Sequence, residues 1–232
     1  MNNIDLLMSF GLTRQEASIY VLLVLEGNLN GYEVSKRSGI SRSNAYNALA
    51  GLVEKGAAYV IEEQTVRYTP VPIEELAANK IRLLSEAARK LKMQLPTRRE
   101  ETEDYITIKG KRQMEDKLKN LITQTKERIY LSFASDRMKQ YEPLLTCLLQ
   151  KGIKVVIITD PPYTLEGAIV YHGEKRIEQI RVIADSRYVL TGAIQDEYHA
   201  TCLYSSNNNL VEVFKEALSN EIKLIKIKEG QS

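Results

Sequence analysis

Residues 29–55, LNGYEVSKRSGISRSNAYNALAGLVEK, predict two short helices that meet at a tight turn. Gly39 ends the first helix, and the side-chain oxygen of Ser41 caps the second. The apolar residues of the second helix recur at helical spacing, and they are Ala45, Leu49, Leu52 and Val53. This is the layout of a helix-turn-helix, whose second helix enters the DNA major groove with its N-terminal residues at the base edges.

Helix pairs of this kind are also common in ordinary all-α cores. The segment that follows the pair distinguishes such a core from a DNA-binding domain. Residues 57–61 and 65–68 predict two strands, with a turn at 62–64 between them. A two-stranded wing after the second helix indicates a winged helix-turn-helix. A winged helix that binds proteins instead of DNA stays open as an alternative.

Two runs within these elements carry a family resemblance. SRSNAYNALAGLVEKG at 41–56 and VRYTPVPIEEL at 66–76 resemble the winged-helix domain of the TrmB family of bacterial and archaeal transcriptional regulators. The residues at matching positions are Tyr46, Leu49, Leu52, Lys55, Gly56, Arg67, Tyr68 and Pro72. The resemblance is closest in the first 95 residues. It implies a sequence-specific, DNA-binding transcription regulator.

The side chains expected to contact DNA surround the helix pair and the wing. They are Lys36, Arg37, Ser41, Arg42, Ser43, Asn44, Tyr46, Asn47 and Arg67. A net charge of +2 is too small to indicate nucleic-acid binding by the chain as a whole. Any attraction to DNA must come from cations that are clustered near the helix pair. The same cations could equally form ordinary solvated surface. Tyr46 is expected to have a mixed packing role, and Arg67 to touch the DNA backbone.

The segment before the helix pair predicts two more helices. Residues 4–10 form a short helix that Gly11 ends. Thr13 and Glu16 have the spacing of a capping box, which begins a second helix. That helix is apolar around most of its circumference, so it belongs to the domain core or to a dimer interface.

A long helix follows the wing, from Pro72 to the residue before Pro96. Its apolar residues alternate steps of four and three, as in a coiled-coil seam, and they are Ala77, Ile81, Leu84, Ala88, Leu91 and Leu95. Pairing of this seam with a second copy supplies the two-fold arrangement that helix-turn-helix proteins need for two half-sites. The competing interpretation packs the seam against the C-terminal half. Residues 97–104 are charged and predict the domain boundary.

From Tyr105 onward strands and helices alternate, which indicates an α/β domain with a mixed sheet. Strands are predicted at 105–108, 128–133, 153–159, 179–184, 187–191 and 200–204, and helices at 113–125 and 138–150 and from Asn207 or Asn208. The apolar residues expected to face inward on the last helix are Leu210, Val213, Phe214, Leu218, Ile222 and Leu224. The element order resembles the phospholipase D-like domain of TrmB-type regulators.

The predicted fold is therefore an α+β winged helix-turn-helix at 1–71, a coiled-coil-like linker helix at 72–96, and an α/β phospholipase D-like domain at 105–228. Phospholipase D-type phosphodiesterases use a His-x-Lys-x4-Asp motif. If Asp185 were its aspartate, Glu178 and Ile180 would occupy the His and Lys positions. Asp185 is expected to be a hairpin-turn residue, and the domain to be regulatory. A phosphodiesterase or nuclease remains the alternative.

A regulatory ligand is expected at the C-terminal ends of the parallel strands, where α/β sheets usually bind ligands. The candidate effector residues are Ser132, Phe133, Ser135, Thr159, Asp160 and Tyr163. An ordinary surface turn at 160–163 is the alternative. TrmB-type regulators with a defined sugar site carry a further β-rich region, which we expect this chain to lack.

The chain has two isolated cysteines, Cys147 and Cys202, whose spacing fits neither a metal site nor a disulfide framework. We therefore predict that both are buried thiols in a reducing cytosol. The N-terminus has no basic signal region, and the apolar run at 19–25 is too short to cross a bilayer. We therefore expect a cytoplasmic protein without metal, cofactor or membrane partner. The expected partners are double-stranded DNA, a second copy or a higher oligomer, and an unidentified small-molecule effector.

Overall fold

The computed structural model describes residues 2–62, 64–96, 105–175, 177–194 and 199–230. The chain divides into two compact units, Met1–Thr97 and Arg98–Ser232. The charged segment predicted as the domain boundary, 97–104, lies outside the described residues, as does residue 63 of the predicted wing turn.

The first unit consists of helices and one small sheet. Its elements are α1 (Asn3–Ser9), α2 (Arg14–Glu26), β1 (Leu29–Asn30), α3 (Gly31–Ser38), α4 (Arg42–Glu54), β2 (Ala58–Ile61), β3 (Arg67–Pro70) and α5 (Ile73–Gln94). The antiparallel sheet has the order β1-β3-β2. The winged helix-turn-helix is confirmed. The pairing of Ile61 with Arg67 starts β3 two residues later than predicted, and the two-residue strand β1 was not predicted.

Local caps begin and end these helices as the sequence predicts. The hydroxyl of Thr13 accepts a hydrogen bond from the N–H of Glu16, and the carboxylate of Glu16 accepts one from the N–H of Thr13. Gly39 has the left-handed conformation (φ 71°) that ends α3. Ser41 caps α4 by accepting from the N–H of Asn44. Pro72 immediately precedes the first turn of α5.

The second unit is a seven-stranded mixed sheet with helices. Its elements are β4 (Tyr105–Lys109), α6 (Lys111–Gln124), β5 (Arg128–Ser132), α7 (Ser135–Met138), a 3-10 turn (Lys139–Tyr141), α8 (Glu142–Gln150), β6 (Lys154–Thr159), β7 (Ile169–His172), β8 (Gln179–Ala184), β9 (Tyr188–Ala193), β10 (Thr201–Ser205) and α9 (Asn208–Gly230). The strand order is β4-β10-β9-β8-β5-β6-β7. Strands β5, β6 and β7 are parallel, and the other pairs are antiparallel. The predicted α/β domain with a mixed sheet is confirmed.

Two elements of this unit differ from the prediction. The single helix expected at 138–150 is divided into α7, a 3-10 turn and α8, because Pro143 occupies the first turn of α8, where a helix accepts proline. Strand β7 was not predicted.

The last helix, α9, packs against the sheet through Val211, Leu218 and Ile225, with the half-buried Leu210, Phe214 and Ile222 beside them. The prediction that Val213 and Leu224 also face inward is wrong, since each is 60% exposed. Both project from the side of the helix away from the face that meets the sheet.

The two cysteines differ in exposure. Cys202 on β10 is buried as predicted, and burial raises its pKa to about 11. The prediction of a buried thiol is wrong for Cys147, which is exposed because the buried face of α8 is formed by Leu145 and Leu148. Among the described helices, none combines the length and apolar character needed to cross a bilayer.

Candidate nucleic-acid interface

Helix α4 presents a polar face and buries an apolar one. Ala45, Ala48, Leu49 and Leu52 lie in the core of the first unit. The polar residues of its first two turns are all exposed, and they are Ser41, Arg42, Ser43, Asn44 and Asn47. A helix buried on one side and exposed at its polar N-terminal turns has the form of a recognition helix.

A buried carboxylate fixes the C-terminal end of α4 to the start of α2. Glu16 is 6% exposed and accepts a hydrogen bond of 2.6 Å from Nζ of Lys55. Gly51 on α4 lies so close to this carboxylate that a Cβ there would overlap it. Burial raises the pKa of Glu16, but hydrogen bonds from Lys55 and Thr13 outweigh it, so the pKa is lower than usual. This contact sets the angle at which α4 presents its polar face.

Arg42 is held by a residue that the sequence analysis did not identify. Its guanidinium lies over the ring of Tyr32, 4.9 Å from the ring centroid, and half of the Tyr32 surface is exposed. Stacking of this kind restrains the guanidinium without using its N–H donors. The only signal for this contact in the sequence was a tyrosine in the first turn of the helix that precedes α4.

Tyr46 packs against the start of α3 and is still partly exposed. Its ring covers Gly31 at the start of α3 so closely that a Cβ on that glycine would overlap it. The tyrosine nevertheless remains 50% exposed. The ring therefore joins α3 to α4 and still contributes to the exposed surface.

The remaining predicted cations differ in what they contact. Lys36 is exposed. Arg37 forms an ion pair with Glu26. Arg67 donates a hydrogen bond of 2.8 Å to the carbonyl of Asn28 and lies 3.6 Å from the carboxylate of Glu33. These contacts attach Arg67 on the wing to the start of α3.

The wing also contacts the linker helix. The hydroxyl of Tyr59 on β2 donates to the carboxylate of Glu75 in the first turn of α5 at 2.6 Å. This hydrogen bond raises the pKa of Tyr59. On α5, the predicted seam residues Ile81, Leu84, Leu91 and Leu95 are each more than half exposed. Ala88 is exposed and Ala77 is half-buried.

In the second unit, all six predicted effector residues are buried. The carboxylate of Asp160 accepts hydrogen bonds of 2.8 Å from both the N–H and the hydroxyl of Ser135. Thr159 donates to the carbonyl of Phe133. Burial raises the pKa of Asp160, but the bonds from Ser135 outweigh it and leave the pKa lowered. These contacts hold the segment after β5 against the end of β6.

The two other predicted polar residues differ, because the hydroxyl of Ser132 is hydrogen-bonded, whereas the buried hydroxyl of Tyr163 has no hydrogen-bond partner within the described residues. Ser132 accepts a hydrogen bond of 2.7 Å from Arg181, which pairs with Glu221 at 2.6 Å. Burial and the charge of Glu142 raise the pKa of Tyr163. A cavity of about 320 Å³ lies beside the segments that follow β5 and β7. Its charged lining residues are Lys111, Glu115, Asp136, Arg137 and Lys175.

Asp185 occupies the hairpin turn between β8 and β9, as expected, with a left-handed φ of 50°. Its carboxylate accepts hydrogen bonds from the backbone N–H groups of residues 126, 127 and 128 at the start of β5. Ile180 is buried. Within the described ranges, no group of three or more His, Cys, Asp or Glu side chains is arranged to hold a metal ion.

Comparison with known proteins connects this geometry to a family. Residues 6–74 match the model of a family described as sugar-specific transcriptional regulator TrmB. The uncharacterized protein YrhO of Bacillus subtilis strain 168 is 32% identical over 174 residues, which cover 73% of this chain and 63% of YrhO. The HTH-type sugar sensing transcriptional regulator TrmBL1 of Pyrococcus furiosus is 29% identical over 158 residues, which cover 66% of this chain and 45% of TrmBL1.

A solved structure of TrmBL2, an archaeal chromatin protein, has a TM-score of 0.45 and 18% identity, with 94% of this chain and 96% of that one covered. The chain spans less than two thirds of the length of YrhO and of TrmBL1. The family match coincides with the winged helix-turn-helix and confirms the resemblance found in the sequence. The first unit of this chain is therefore a winged helix-turn-helix of the TrmB family.

Proposed function

We propose that this protein is a dimeric transcription regulator that binds specific DNA sites and is controlled by a small molecule in its second unit. The observation that carries the proposal is the exposed polar start of α4, whose opposite face is buried. The Glu16–Lys55 contact supports it by fixing the other end of the helix. The proposal includes a cytoplasmic location, where the protein would have access to its DNA sites.

In the proposed complex, the first two turns of α4 enter the major groove. Arg42, restrained by Tyr32, contacts a base edge, and the amides of Asn44 and Asn47 reach bases or phosphates. Lys36 neutralises a phosphate. Arg37 and Arg67 each have a carboxylate partner within the unit. Part of their charge is therefore neutralised, and their attraction to the DNA backbone is weaker than that of Lys36.

The α5 seam is the proposed dimer contact. Its larger apolar side chains are more than half exposed in the single chain, and a surface of this kind is stabilised by removal from water. The helix has 22 residues, or roughly 33 Å. Glu75 of α5 is hydrogen-bonded to the wing. Pairing of two α5 helices would therefore also set the distance and orientation between the two wings of the dimer.

The proposed effector site is the charged cavity beside the ends of β5 and β7. Cations and carboxylates line it together, which suits a polar ligand with both donors and acceptors. Three of the six predicted residues, Ser135, Asp160 and Thr159, hold the neighbouring ends of β5 and β6 through their hydrogen bonds. We assign the second unit no catalytic role, since Glu178 and Ile180 stand where a phospholipase D motif has histidine and lysine.

Binding of the full chain to its own upstream DNA, measured by fluorescence anisotropy at several salt concentrations, tests this function. A scrambled duplex of equal length and composition is the control. We expect tighter binding to the upstream DNA and a steep loss of affinity as salt rises, because bound cations displace counterions from the phosphates. Equal, weak binding to both duplexes would contradict the proposal and favour a protein-binding winged helix.

A further inference from the structure

Helix α9 carries a second apolar surface that the sheet does not cover. Val213 and Leu224 are each 60% exposed, and Ile227 is 55% exposed. Ala217 and Asn220 are also exposed and lie between them along the same side of the helix. The outward stripe therefore runs along most of this 23-residue helix, opposite the face that packs on the sheet.

The spacing of this stripe is that of a coiled-coil seam. Its members, in order, are Val213, Ala217, Asn220, Leu224 and Ile227. The steps alternate four, three, four and three, which keeps the stripe on one side of a helix over its whole length. We propose that α9 pairs in antiparallel orientation with α9 of a second copy of this chain. This contact is separate from the α5 dimer and goes beyond the proposed function.

In one antiparallel register four of the five stripe residues are matched, and Ile227 lies opposite the start of the second helix. Val213 of one helix faces Leu224 of the other, and Ala217 faces Asn220. Each of these layers occurs twice, because the pair has two-fold symmetry. The polar Asn220 meets only a small side chain at the centre of the contact. A single polar residue in a seam is the feature that specifies register in coiled coils.

The charges beside the stripe favour the same arrangement. Glu216 and Lys223 are exposed and occupy equivalent flanking positions, seven residues apart. In the antiparallel register Glu216 of each copy lies opposite Lys223 of the other, which forms two symmetric ion pairs. A parallel pair would instead bring Glu216 towards Glu221 of the second copy. Charge complementarity therefore selects the antiparallel pair.

The α5 seam is the other candidate occupant for this stripe. Its flanking charges are Lys80 and Lys92, with no acidic residue beside them. The α5 seam therefore offers only lysines to the Glu216 and Lys223 of α9. The α9 stripe carries both signs of charge in a self-complementary order, so a second α9 fits it better.

Sedimentation equilibrium of the full chain tests the proposal in a Leu84→Glu background, which disrupts the α5 seam. We expect Glu216→Lys and Lys223→Glu each to weaken the remaining self-association by about tenfold, because two attractive pairs become repulsive. The double variant exchanges the charges and should recover the association to within about threefold of the background protein. Lys119→Glu, an exposed charge reversal on α6, should have no effect.

Four results would overturn the proposal. The first is no self-association in the Leu84→Glu background. The second is association that neither single charge reversal weakens, and the third is a double variant no stronger than the singles. The fourth is a Leu224→Glu variant whose effect disappears in the Leu84→Glu background, which would assign the stripe to α5. Circular dichroism of each variant checks the fold, which these exposed positions should leave intact. If Leu84→Glu leaves the association unchanged, only the α5 dimer of the proposed function fails.

Discussion

The two predicted binding regions use polar residues in opposite ways. On α4 the side chains of Arg42, Ser43 and Asn47 are exposed at the end of a helix that is held by its other face. After β5 and β6 the side chains of Asp160 and Ser135 are buried and bonded to each other. A polar residue at an expected site is therefore available to a partner only where its own chain leaves its hydrogen bonds unused. The following predictions test that difference.

The largest effect is expected for Asp160→Ala in the second unit. Within the described part of the chain, it removes the only acceptor that the N–H and the hydroxyl of Ser135 have. Two buried donors without a partner should lower the free energy of unfolding of this unit by about 3 kcal/mol. Urea unfolding measures this, and Asp160→Asn, which keeps one acceptor, should lose less. Unchanged stability would mean that the carboxylate is free to bind a ligand.

Arg42→Ala should have the opposite character, with lost affinity and unchanged stability. We expect DNA binding to weaken by about 1–3 kcal/mol and sequence preference to relax at one position, if Arg42 makes a bidentate contact to a base. Arg14→Ala is a matched control, since Arg14 is an exposed cation on α2. Competition binding against variant duplexes measures both quantities. Equal loss in the Arg14 variant would point to a general charge effect instead.

Glu16→Gln tests the buried contact that orients α4. Because the folded-state pKa of Glu16 lies below its ordinary value of 4.5, its charge stabilises the fold above that value and the contribution is lost as pH falls through the folded pKa. At pH 7 the variant should be less stable by about 1–2 kcal/mol. The difference from the parent should shrink as the pH falls below 4.5 and through the lower folded-state pKa. A difference independent of pH would contradict the ion pair with Lys55.

The smallest effect is expected for Lys36→Ala. This exposed lysine should contribute one phosphate contact, so binding should weaken by a similar amount on every duplex. The slope of log affinity against log salt should fall by about 1. Lys119→Ala in the second unit is the control. A change in sequence preference would show that Lys36 reaches a base.

Much of the fold was predictable because it depends on residues close together in the chain. The Thr13 and Glu16 capping box, the glycine end at Gly39 and the Ser41 cap are each decided within three or four residues. The hairpin at Asp185 is equally local. Strand β1 escaped prediction because two residues carry no period, and they become a strand only by pairing with β3.

The candidate interface was partly predictable for the same reason. The alternation of apolar and polar residues along α4 identified which face would be exposed. The pairing of Arg67 with Glu33 and the stacking of Arg42 on Tyr32 join different elements. No pattern within one helix or strand encodes such contacts.

The sequence by itself determined the winged helix-turn-helix, the helix caps, the seven-residue pattern of the linker helix and the resemblance to a family. Tertiary structure decided which polar groups are satisfied and which apolar faces stay exposed. Val213 and Leu224 fit a helical period as well as Leu218 does, but only Leu218 meets the sheet. A helical pattern records which residues share a face. Which face is buried depends on strands far away in the chain.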